Sequence, residues 1–468
     1  MNRSTSSTPV AWLDKAVLIH VSVLLMGSSW AFGGNIDWAR QALSIWASLA
    51  LPITVASFFQ SNGLRSSKRR LIWLLPPLLY VALVLISACN PSFRSIAVDG
   101  NVLLAHQGAP YPFFPSSANP SASLSALWFG AGVYLSAFNL AVVVRRRTTL
   151  RFLLILIATN ALALSVFGAL QKLSSSGFYF GTETSPNKRY FATFIYNNHW
   201  GAFMVLCLAA TLGLLFHYAR NYRARDLWHS PFTLAVLAVL LIALTGPLSA
   251  SRAATVMAAL LMTIATAHSL AKVIAARRSA GRAVWPAVAI LLIFVGTSVS
   301  AAGWLSFRSL NERIVETRTL LEKKQSLLGA RVELYRDTWE LASRQPVFGW
   351  GLNSYDITFQ LIRPRPLHAS RQYESSYATA HNDWLQSLAE TGFTGTILLI
   401  LTAALPLASL RYSELRHPLV TYPLIGLGLI LLYAGMEFPF SCGAFLITFW
   451  ILFFTLIRHA ELGAQEPR

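Results

Sequence analysis

The sequence predicts an all-α polytopic membrane protein, and its composition and the spacing of its apolar runs are the observations behind this prediction. Of 468 residues, 54% are hydrophobic and 12% are charged, and the mean hydropathy is +0.51. Charged residues make up about a quarter of an ordinary soluble domain, so this chain is too apolar for that class. Its apolar residues also fall into about twelve runs, each near the roughly 20 residues that a helix needs to cross the hydrocarbon core.

The twelve predicted transmembrane helices divide into two groups around one long polar segment. They cover approximately 15–32, 38–59, 71–89, 124–144, 152–173, 198–217, 231–248, 252–271, 283–305, 392–410, 420–437 and 440–457. We therefore expect three regions: helices one to nine over 1–305, a large loop with an interfacial helix over 306–391, and the last three helices with a tail over 392–468.

Basic residues predict the orientation of these helices. Clusters of arginine and lysine fall in every second short connection, which the positive-inside rule assigns to the cytoplasm. The clusters are Arg65/Lys68/Arg69/Arg70, Arg145/Arg146/Arg147/Arg151, Arg220/Arg223/Arg225, Lys272/Arg277/Arg278/Arg282 and Arg411/Arg416. Both termini are then cytoplasmic. The net charge of +19 is explained largely by these cytoplasmic clusters, so it does not indicate nucleic-acid binding. It predicts contact with anionic membrane lipids.

Two shorter outer segments precede the large loop. Residues 90–123 are rich in proline, serine and alanine, and we expect an irregular surface cover. Residues 181–200 place Arg189 between a turn and an aromatic run, and Asn197 and Asn198 open the next helix as caps. An interfacial aromatic belt with a snorkelling cation accounts for this pattern, and a binding role for Arg189 is the alternative.

The eighth predicted helix begins with an arginine. Ser249 or Ser251 can cap it, and Arg252 then lies in the first turn, where the helix dipole disfavours a cation by roughly 0.3–1 kcal/mol. A nearby anion would make the arginine favourable at this position, because free helical amides and a guanidinium together can bind a phosphate or diphosphate. Snorkelling of Arg252 to the membrane surface is the competing interpretation.

The large loop contains an amphipathic pattern over 328–342 that predicts a helix carrying Arg331 and Arg336. The predicted apolar stripe comprises Val332, Tyr335, Trp339 and Ala342. The helix is followed by a turn-rich segment over 346–352. Gly349 and Gly351 are too few for a nucleotide-binding loop, so the pattern favours a turn.

A second short amphipathic helix is predicted within 379–395, running directly into the tenth transmembrane helix. Apolar residues are expected on one face and polar residues on the other, with Gly392 and Gly395 at its end. The apolar face comprises Trp384, Leu385 and Leu388, and the polar face Asn382, Asp383, Gln386 and Glu390. His381 in the first turn then lies near the water boundary, where an imidazole can take or give a proton.

Glu437 lies at the outer end of the eleventh predicted helix, beside the break at Pro439. Acidic residues at such positions are often functional. Glu437 could orient His381 or an arginine, or it could be a turn residue among lipid headgroups.

Three pieces of the sequence together resemble the bacterial O-antigen ligase and Wzy-type polymerase superfamily. They are Ser251-Arg252-Ala253, the run from Arg331 to Trp339 leading into the 346–351 turn, and His381-Asn382-Asp383-Trp384-Leu385-Gln386 with Glu390, Gly392 and Gly395. The resemblance covers the chain from about Arg189 to the C-terminus. The first four or five helices carry no signature of this family.

The resemblance implies a membrane glycosyltransferase of the GT-C type in the bacterial inner membrane, with a large helical periplasmic loop before the tenth helix. No outer-face cluster of Asp and Glu resembles an Asp-x-Asp metal site, so we expect a metal-independent reaction, and we expect no cofactor. The donor would be a glycan on undecaprenyl diphosphate, and the acceptor a sugar hydroxyl on a lipid or another glycan. His381, Arg252 and Arg331 match the family's catalytic positions, and Arg189 matches a basic residue of an earlier outer loop. We also expect Arg336, Asn198, Asn382 and Glu437 to contact substrate.

These residue types suit glycosyl transfer from a lipid diphosphate. Arginine forks match diphosphate oxygens, and preorganised positive charge stabilises the leaving group by several kcal/mol. His381 as general base would contribute a factor of roughly 100 to 10,000 in rate. A ligase and a polymerase share this chemistry. A transporter or flippase is the alternative from another class, but it predicts charged or broken helices near mid-membrane, whereas the polar residues here concentrate at the outer face.

Overall fold

The computed structural model of the protein is a helical bundle, described over residues 10–59, 70–98, 101–185, 187, 189–220, 230–305, 327–363 and 378–465. Parts of the predicted large loop, residues 306–326 and 364–377, lie outside this description, as do the basic positions 65, 68, 69, 223 and 225. Within the described residues, nine helices are long and apolar enough to cross a membrane, and three shorter apolar helices accompany them. The prediction of an all-α polytopic membrane protein is confirmed.

The helices before the large loop follow the predicted runs of apolar residues. They are α1 (Val10–Trp30), α2 (Asp37–Ser48), α3 (Ala50–Phe58), α4 (Leu75–Ala88), α5 (Pro120–Val143), α6 (Arg147–Leu173), α7 (Asn197–Ala219), α8 (Pro231–Leu248), α9 (Arg252–Ser279) and α10 (Trp285–Leu305). One predicted span, 38–59, is formed by α2 and α3 together, with Leu49 as the hinge between them.

The remaining helices are α11 (Leu327–Arg344), α12 (Tyr355–Thr358), α13 (Asp383–Ala408), α14 (Pro418–Tyr433) and α15 (Gly443–Gln465). Helices α7 and α15 form the centre of the bundle. Of their apolar stretches, 78% and 89% of the residues are buried by other parts of the protein. Helix α7 packs against α6, α8, α9 and α14, while α15 packs against α1, α5 and α14.

The expectation that 90–123 is irregular is wrong for 93–98 and 101–106, whereas 107–119 contain no helix or strand. Two strands, β1 (Phe93–Val98) and β2 (Asn101–His106), form an antiparallel hairpin in which Phe93 pairs with His106. Phe93 also packs with Trp350 of the large loop at a ring-centroid distance of 6.5 Å. The alternation of apolar and polar residues needed for a hairpin is short here, and the proline-rich stretch after it masks the signal.

The predicted apolar stripe of α11 is also wrong in part. Val332 is 63% and Trp339 is 52% exposed, whereas Leu334 and Leu341 are buried in a small core with Trp350 and Tyr355. Both faces of α11 carry apolar side chains, so periodicity alone does not select the packed one. Trp339 lies on the outer face, as is common for tryptophan at a membrane surface.

The predicted end of the short helix at Gly392 and Gly395 is confirmed only at Gly392. Helix α13 bends at Gly392, where φ is +64°, and then continues to Ala408 through Gly395. A methyl group at Gly392 would lie 2.4 Å from the backbone carbon of Val347. Glycine is required there because of both the positive φ and the close approach.

Candidate functional site

Five segments meet at one end of the bundle, opposite the described basic connections. They are the 189–198 segment before α7, the turn at 249–251 between α8 and α9, the first described turns of α11, residues 381–383, and the 434–442 connection between α14 and α15. Each lies at the end of a helix, so residues far apart in the sequence meet there; the bonded pair Asn198 and Glu437 are 239 positions apart.

Glu437 is the centre of this cluster. Its side chain is 5% exposed, and its oxygens accept hydrogen bonds from Arg331 at 2.5 Å and from the Asn198 amide at 3.1 Å. Its Oε2 atom lies 3.4 Å from Nδ1 of His381. A buried carboxylate needs such partners, because removing an unpaired charge from water is costly.

The backbone holds the His381 segment against the 434–442 connection. The amide of Asp383 donates to the carbonyl of Ala434 at 2.8 Å and to that of Glu437 at 3.3 Å. The Asp383 carboxylate in turn accepts from the amide of Phe440 at 3.1 Å. Two chain segments more than fifty residues apart are thus fixed in register at the site.

His381 itself has a strained backbone and a well-fixed ring. Its φ is +49°, and its carbonyl accepts a hydrogen bond from the Tyr335 hydroxyl at 3.0 Å. The imidazole packs edge-on against Phe438 at 4.7 Å. Its side chain is 30% exposed. If Nδ1–H donates to Glu437, the Nε2 atom has the lone pair and can accept a proton.

Arg331 bridges the cluster to the large loop. One nitrogen of its guanidinium donates to Glu437 and another to the carbonyl of Met436 at 3.1 Å. Partial burial acts to lower the pKa of Arg331, but the charge of Glu437 and their hydrogen bond outweigh it and raise the pKa. Arg331 is therefore a fixed cation with a side chain 42% exposed.

Asn198 connects Glu437 to the start of α9. Its amide nitrogen donates to Glu437, and its Oδ1 accepts from the Ser251 hydroxyl at 2.7 Å. Ser251 directly precedes Arg252, which opens α9 and has an exposed side chain. The polar network thus places the first turn of α9 beside the carboxylate.

Arg189 lies next to the same network. Its carbonyl accepts from the amide of Asn197 at 2.9 Å, and its exposed side chain is close enough to influence Tyr196. Burial, together with the charge of Glu437, raises the pKa of Tyr196 to about 12. The Tyr196 hydroxyl therefore stays protonated and accepts a hydrogen bond from the Asn198 amide at 2.7 Å.

A family model described as O-antigen ligase matches residues 237–400. The chain carries an O-antigen ligase domain. The match covers about a third of the chain and includes Arg252, Arg331 and His381, which confirms the superfamily indicated by the three sequence motifs. No curated protein matches the chain. The family indicates a ligase- or polymerase-type function and a glycosyltransferase-type enzyme.

The glycine-rich turn of the O-antigen ligase domain has a structural role. The amides of Trp350 and Gly351 donate to the carbonyls of Ala389 and Glu390 at 2.9 and 2.7 Å. Gly349 has φ of +69°, and a methyl group there would lie 2.4 Å from the backbone of Glu390. The prediction of a turn is confirmed, and the turn fixes α11 against α13.

Glu390 was expected on the polar face of a short interfacial helix, and the structure buries it there. It is 6% exposed and accepts hydrogen bonds from the Asn353 amide at 2.8 Å and the Gln386 side chain at 3.0 Å. Because the loop core covers α13, the polar face of α13 is buried against other polar groups. Glu390 therefore joins the turn to α13.

Asn382 and Arg336 do not join the polar network around Glu437 within the described residues. The side chain of Asn382 accepts from the amide of Leu385 at 3.1 Å, as the cap of α13. Arg336 is exposed and, five residues after Arg331, lies roughly 140° around α11 from it. No group of three or more metal-binding side chains lies together in the described part of the chain.

Three residues of the site were not identified from the sequence: Tyr335, Tyr196 and Phe438. Tyr335 was assigned to an apolar stripe, yet its position four residues after Arg331 places it on the same helix face. Tyr196 and Phe438 stack on each other at 5.5 Å. In the sequence, Tyr335 adjoins Arg336, Tyr196 adjoins Asn197, and Phe438 adjoins Glu437. This adjacency to predicted polar residues was the available signal.

Proposed function

We propose that this protein is an O-antigen ligase. It would transfer a glycan from undecaprenyl diphosphate to a sugar hydroxyl of an acceptor lipid of the lipid A core type, with inversion at the anomeric carbon and without a metal ion. The family match supports the general class of activity. The arrangement of His381, Glu437 and Arg331 is the observation that carries the more specific proposal.

In this proposal His381 is the general base. Glu437 holds Nδ1–H of the imidazole at 3.4 Å, which leaves Nε2 to accept the proton of the acceptor hydroxyl. The acceptor oxygen forms a bond to the anomeric carbon, while the bond from that carbon to the diphosphate oxygen breaks and its electron pair leaves with the diphosphate. A carboxylate that orients a histidine in this way also stabilises the imidazolium that forms.

We assign the arginines to the diphosphate. Arg331 bonds to Glu437, Arg252 directly follows Ser251, which bonds to Asn198, and Arg189 lies within electrostatic range of Tyr196. Fixed guanidinium groups in a partly dehydrated site stabilise charge that develops on a leaving group. Since Glu437 offsets part of the charge of Arg331, Arg252 and Arg189 are important for attracting the dianionic donor.

The network changes the roles that we assign to three predicted substrate-binding residues. Glu437 is buried and bonded to three partners, so we propose that it positions His381 and Arg331. Asn198 would connect Glu437 to the start of α9, and Asn382 would cap α13. Arg336 would contact at most an outer part of a long glycan.

We propose that the site faces the periplasm from the inner membrane, with both termini in the cytoplasm and a GT-C-type arrangement of helices. The described basic residues of the short connections, such as Arg145–Arg147 and Arg411–Arg416, lie at the other end of the bundle from Glu437. The positive-inside rule assigns that end to the cytoplasm. The active site would then bind the completed carrier-linked glycan at the outer face of the membrane.

The test is glycan transfer in vitro from a purified undecaprenyl diphosphate glycan, with the protein in nanodiscs. His381→Ala and Arg252→Ala should each abolish transfer, while Arg336→Ala, a matched change on exposed α11 surface, should retain it. A chelator should leave transfer unchanged. Full activity of His381→Ala would refute the assigned base.

The choice of acceptor distinguishes a ligase from a polymerase. Transfer to a lipid A core acceptor supports the ligase, whereas lengthening of the carrier-linked glycan supports a Wzy-type polymerase. If the wild-type protein transfers no glycan but moves carrier-linked glycan across a vesicle membrane, it is a transporter.

A further inference from the structure

A cavity of about 290 Å³ lies at the end of the bundle opposite Glu437, between α9, α14 and the 411–417 connection. Its lining includes His268, Tyr412, Arg416, Thr421 and Tyr422. His268 is sixteen residues after Arg252 on α9, so the two residues are about 24 Å apart along the helix axis. The cavity is therefore separate from the proposed active site.

The inner wall of the cavity is a stack of aromatic rings. The His268 and Tyr422 rings line the cavity and stack on each other at 5.9 Å, and the ring of Phe216 packs against both, at 4.5 and 4.8 Å and nearly parallel to them. The Tyr422 hydroxyl lies 2.7 Å from Nδ1 of His268. When this hydroxyl donates to Nδ1, the imidazole proton is on Nε2, and the ring offers a donor from the cavity wall.

Two cations flank this wall. Arg416 lines the cavity and lies over the ring of Tyr412 at 5.1 Å, and Lys272, one turn beyond His268, lies over Phe216 at 5.6 Å. In the ranges that the structure describes, neither cation forms a salt bridge with a carboxylate. The cavity is thus positively charged and has the donors to hold an anion.

An apolar stripe, half-buried at Ile425 and exposed at Gly428 and Leu432, leads out of the cavity along α14. Thr421 lines the cavity, and Ile425, Gly428 and Leu432 follow it at helical spacing. Gly428 has open space around its Cα, and Leu432 is 73% exposed. A surface of this kind along an apolar helix of the bundle suits an acyl chain.

We propose that this cavity binds the headgroup of an anionic phospholipid, with one acyl chain along the α14 stripe. The positive charges of Arg416 and Lys272 would attract the phosphate, and His268 would donate a hydrogen bond to it. Basic pockets between membrane helices are suited to anionic headgroups, and the continuous apolar stripe favours a lipid over a free phosphate ion. This inference does not depend on the proposed glycosyl transfer.

The experiment measures lipid binding to the purified full-length protein by native mass spectrometry, with phosphatidylglycerol compared with phosphatidylcholine. The double variant Arg416→Gln/Lys272→Gln should bind phosphatidylglycerol about 30-fold more weakly, because each basic residue near an anionic headgroup contributes about a factor of five. The control Arg277→Gln/Arg278→Gln removes the same charge from the end of α9 and should change binding less than threefold.

A second measurement keeps the proposal testable if the double variant is unstable. Tyr412 is 72% exposed, so Tyr412→Ala should fold normally, yet it should weaken phosphatidylglycerol binding and reduce the rise in Tm that this lipid gives the wild-type protein. Equal binding of the two lipids, or an equal loss in the control, would overturn the proposal. Displacement of the lipid by millimolar inorganic phosphate would instead identify a free-anion site.

Discussion

Replacing Glu437 with glutamine tests the proposed mechanism most directly. The side chain keeps its size, and an amide oxygen can still accept from Arg331. In the wild-type protein, Nδ1 of His381 lies 3.4 Å from the Glu437 carboxylate. In the variant the negative charge is lost, and the new NH₂ group can face Nδ1. The imidazole would then accept at Nδ1 and hold its proton on Nε2, where it cannot act as a base.

The expected effect follows from the bonds that Glu437 makes. A hydrogen bond to a charged group contributes about 1.5–3 kcal/mol, and Glu437→Gln weakens those to both Arg331 and His381. A loss of about 3 kcal/mol from the transition state corresponds to a rate roughly 100-fold lower. We expect the decrease in kcat, with KM changed little, since Glu437 is 4% exposed and positions other groups.

Single-turnover transfer of glycan in nanodiscs measures this rate. Glu340→Gln is the matched control, because Glu340 is exposed on α11 and pairs only with Arg344 among the described residues, at 2.8 Å. Thermal unfolding of both variants checks that they are folded. A Glu437→Gln variant within threefold of the wild-type rate, or one no slower than Glu340→Gln, would refute the role of Glu437.

Three further predictions concern the same region. Arg331→Lys keeps the charge but replaces the planar fork, whose separate nitrogens reach Glu437 and the carbonyl of Met436, with a single ammonium group, so transfer should fall about 10-fold. Arg336→Lys should leave transfer unchanged, and equal activity of the two variants in the transfer assay would contradict this role of Arg331. Gly392→Ala should lower the free energy of unfolding by at least about 2 kcal/mol, because its methyl group would meet backbone atoms. The control Gly296→Ala, in open space on α10, should not destabilise the protein. Denaturant unfolding of the two variants measures the difference. Leu341→Ala removes a buried side chain from the loop core and should lower the free energy of unfolding by about 2–5 kcal/mol, measured in the same way. A loss below about 1 kcal/mol would show that this core does not support α11.

Much of the candidate site could be predicted because its residues lie in short motifs. His381 and Arg331 each stand in a local pattern that marks a helix start or an amphipathic helix, and Glu437 is an acid beside a proline break. Their pairing could not be predicted. His381 and Glu437 are 56 positions apart, and only the register fixed by the Asp383 amide brings them together.

The sequence by itself determined the class of the protein, the approximate limits of its apolar helices, and the end of the bundle where polar residues gather. These properties depend on local hydropathy and charge, since each helix must satisfy its backbone within the membrane. The packed face of α11, the hairpin at Phe93–His106 and the burial of Glu390 were decided by tertiary structure. Each depends on which surface a distant segment covers, and residue periodicity does not contain that information.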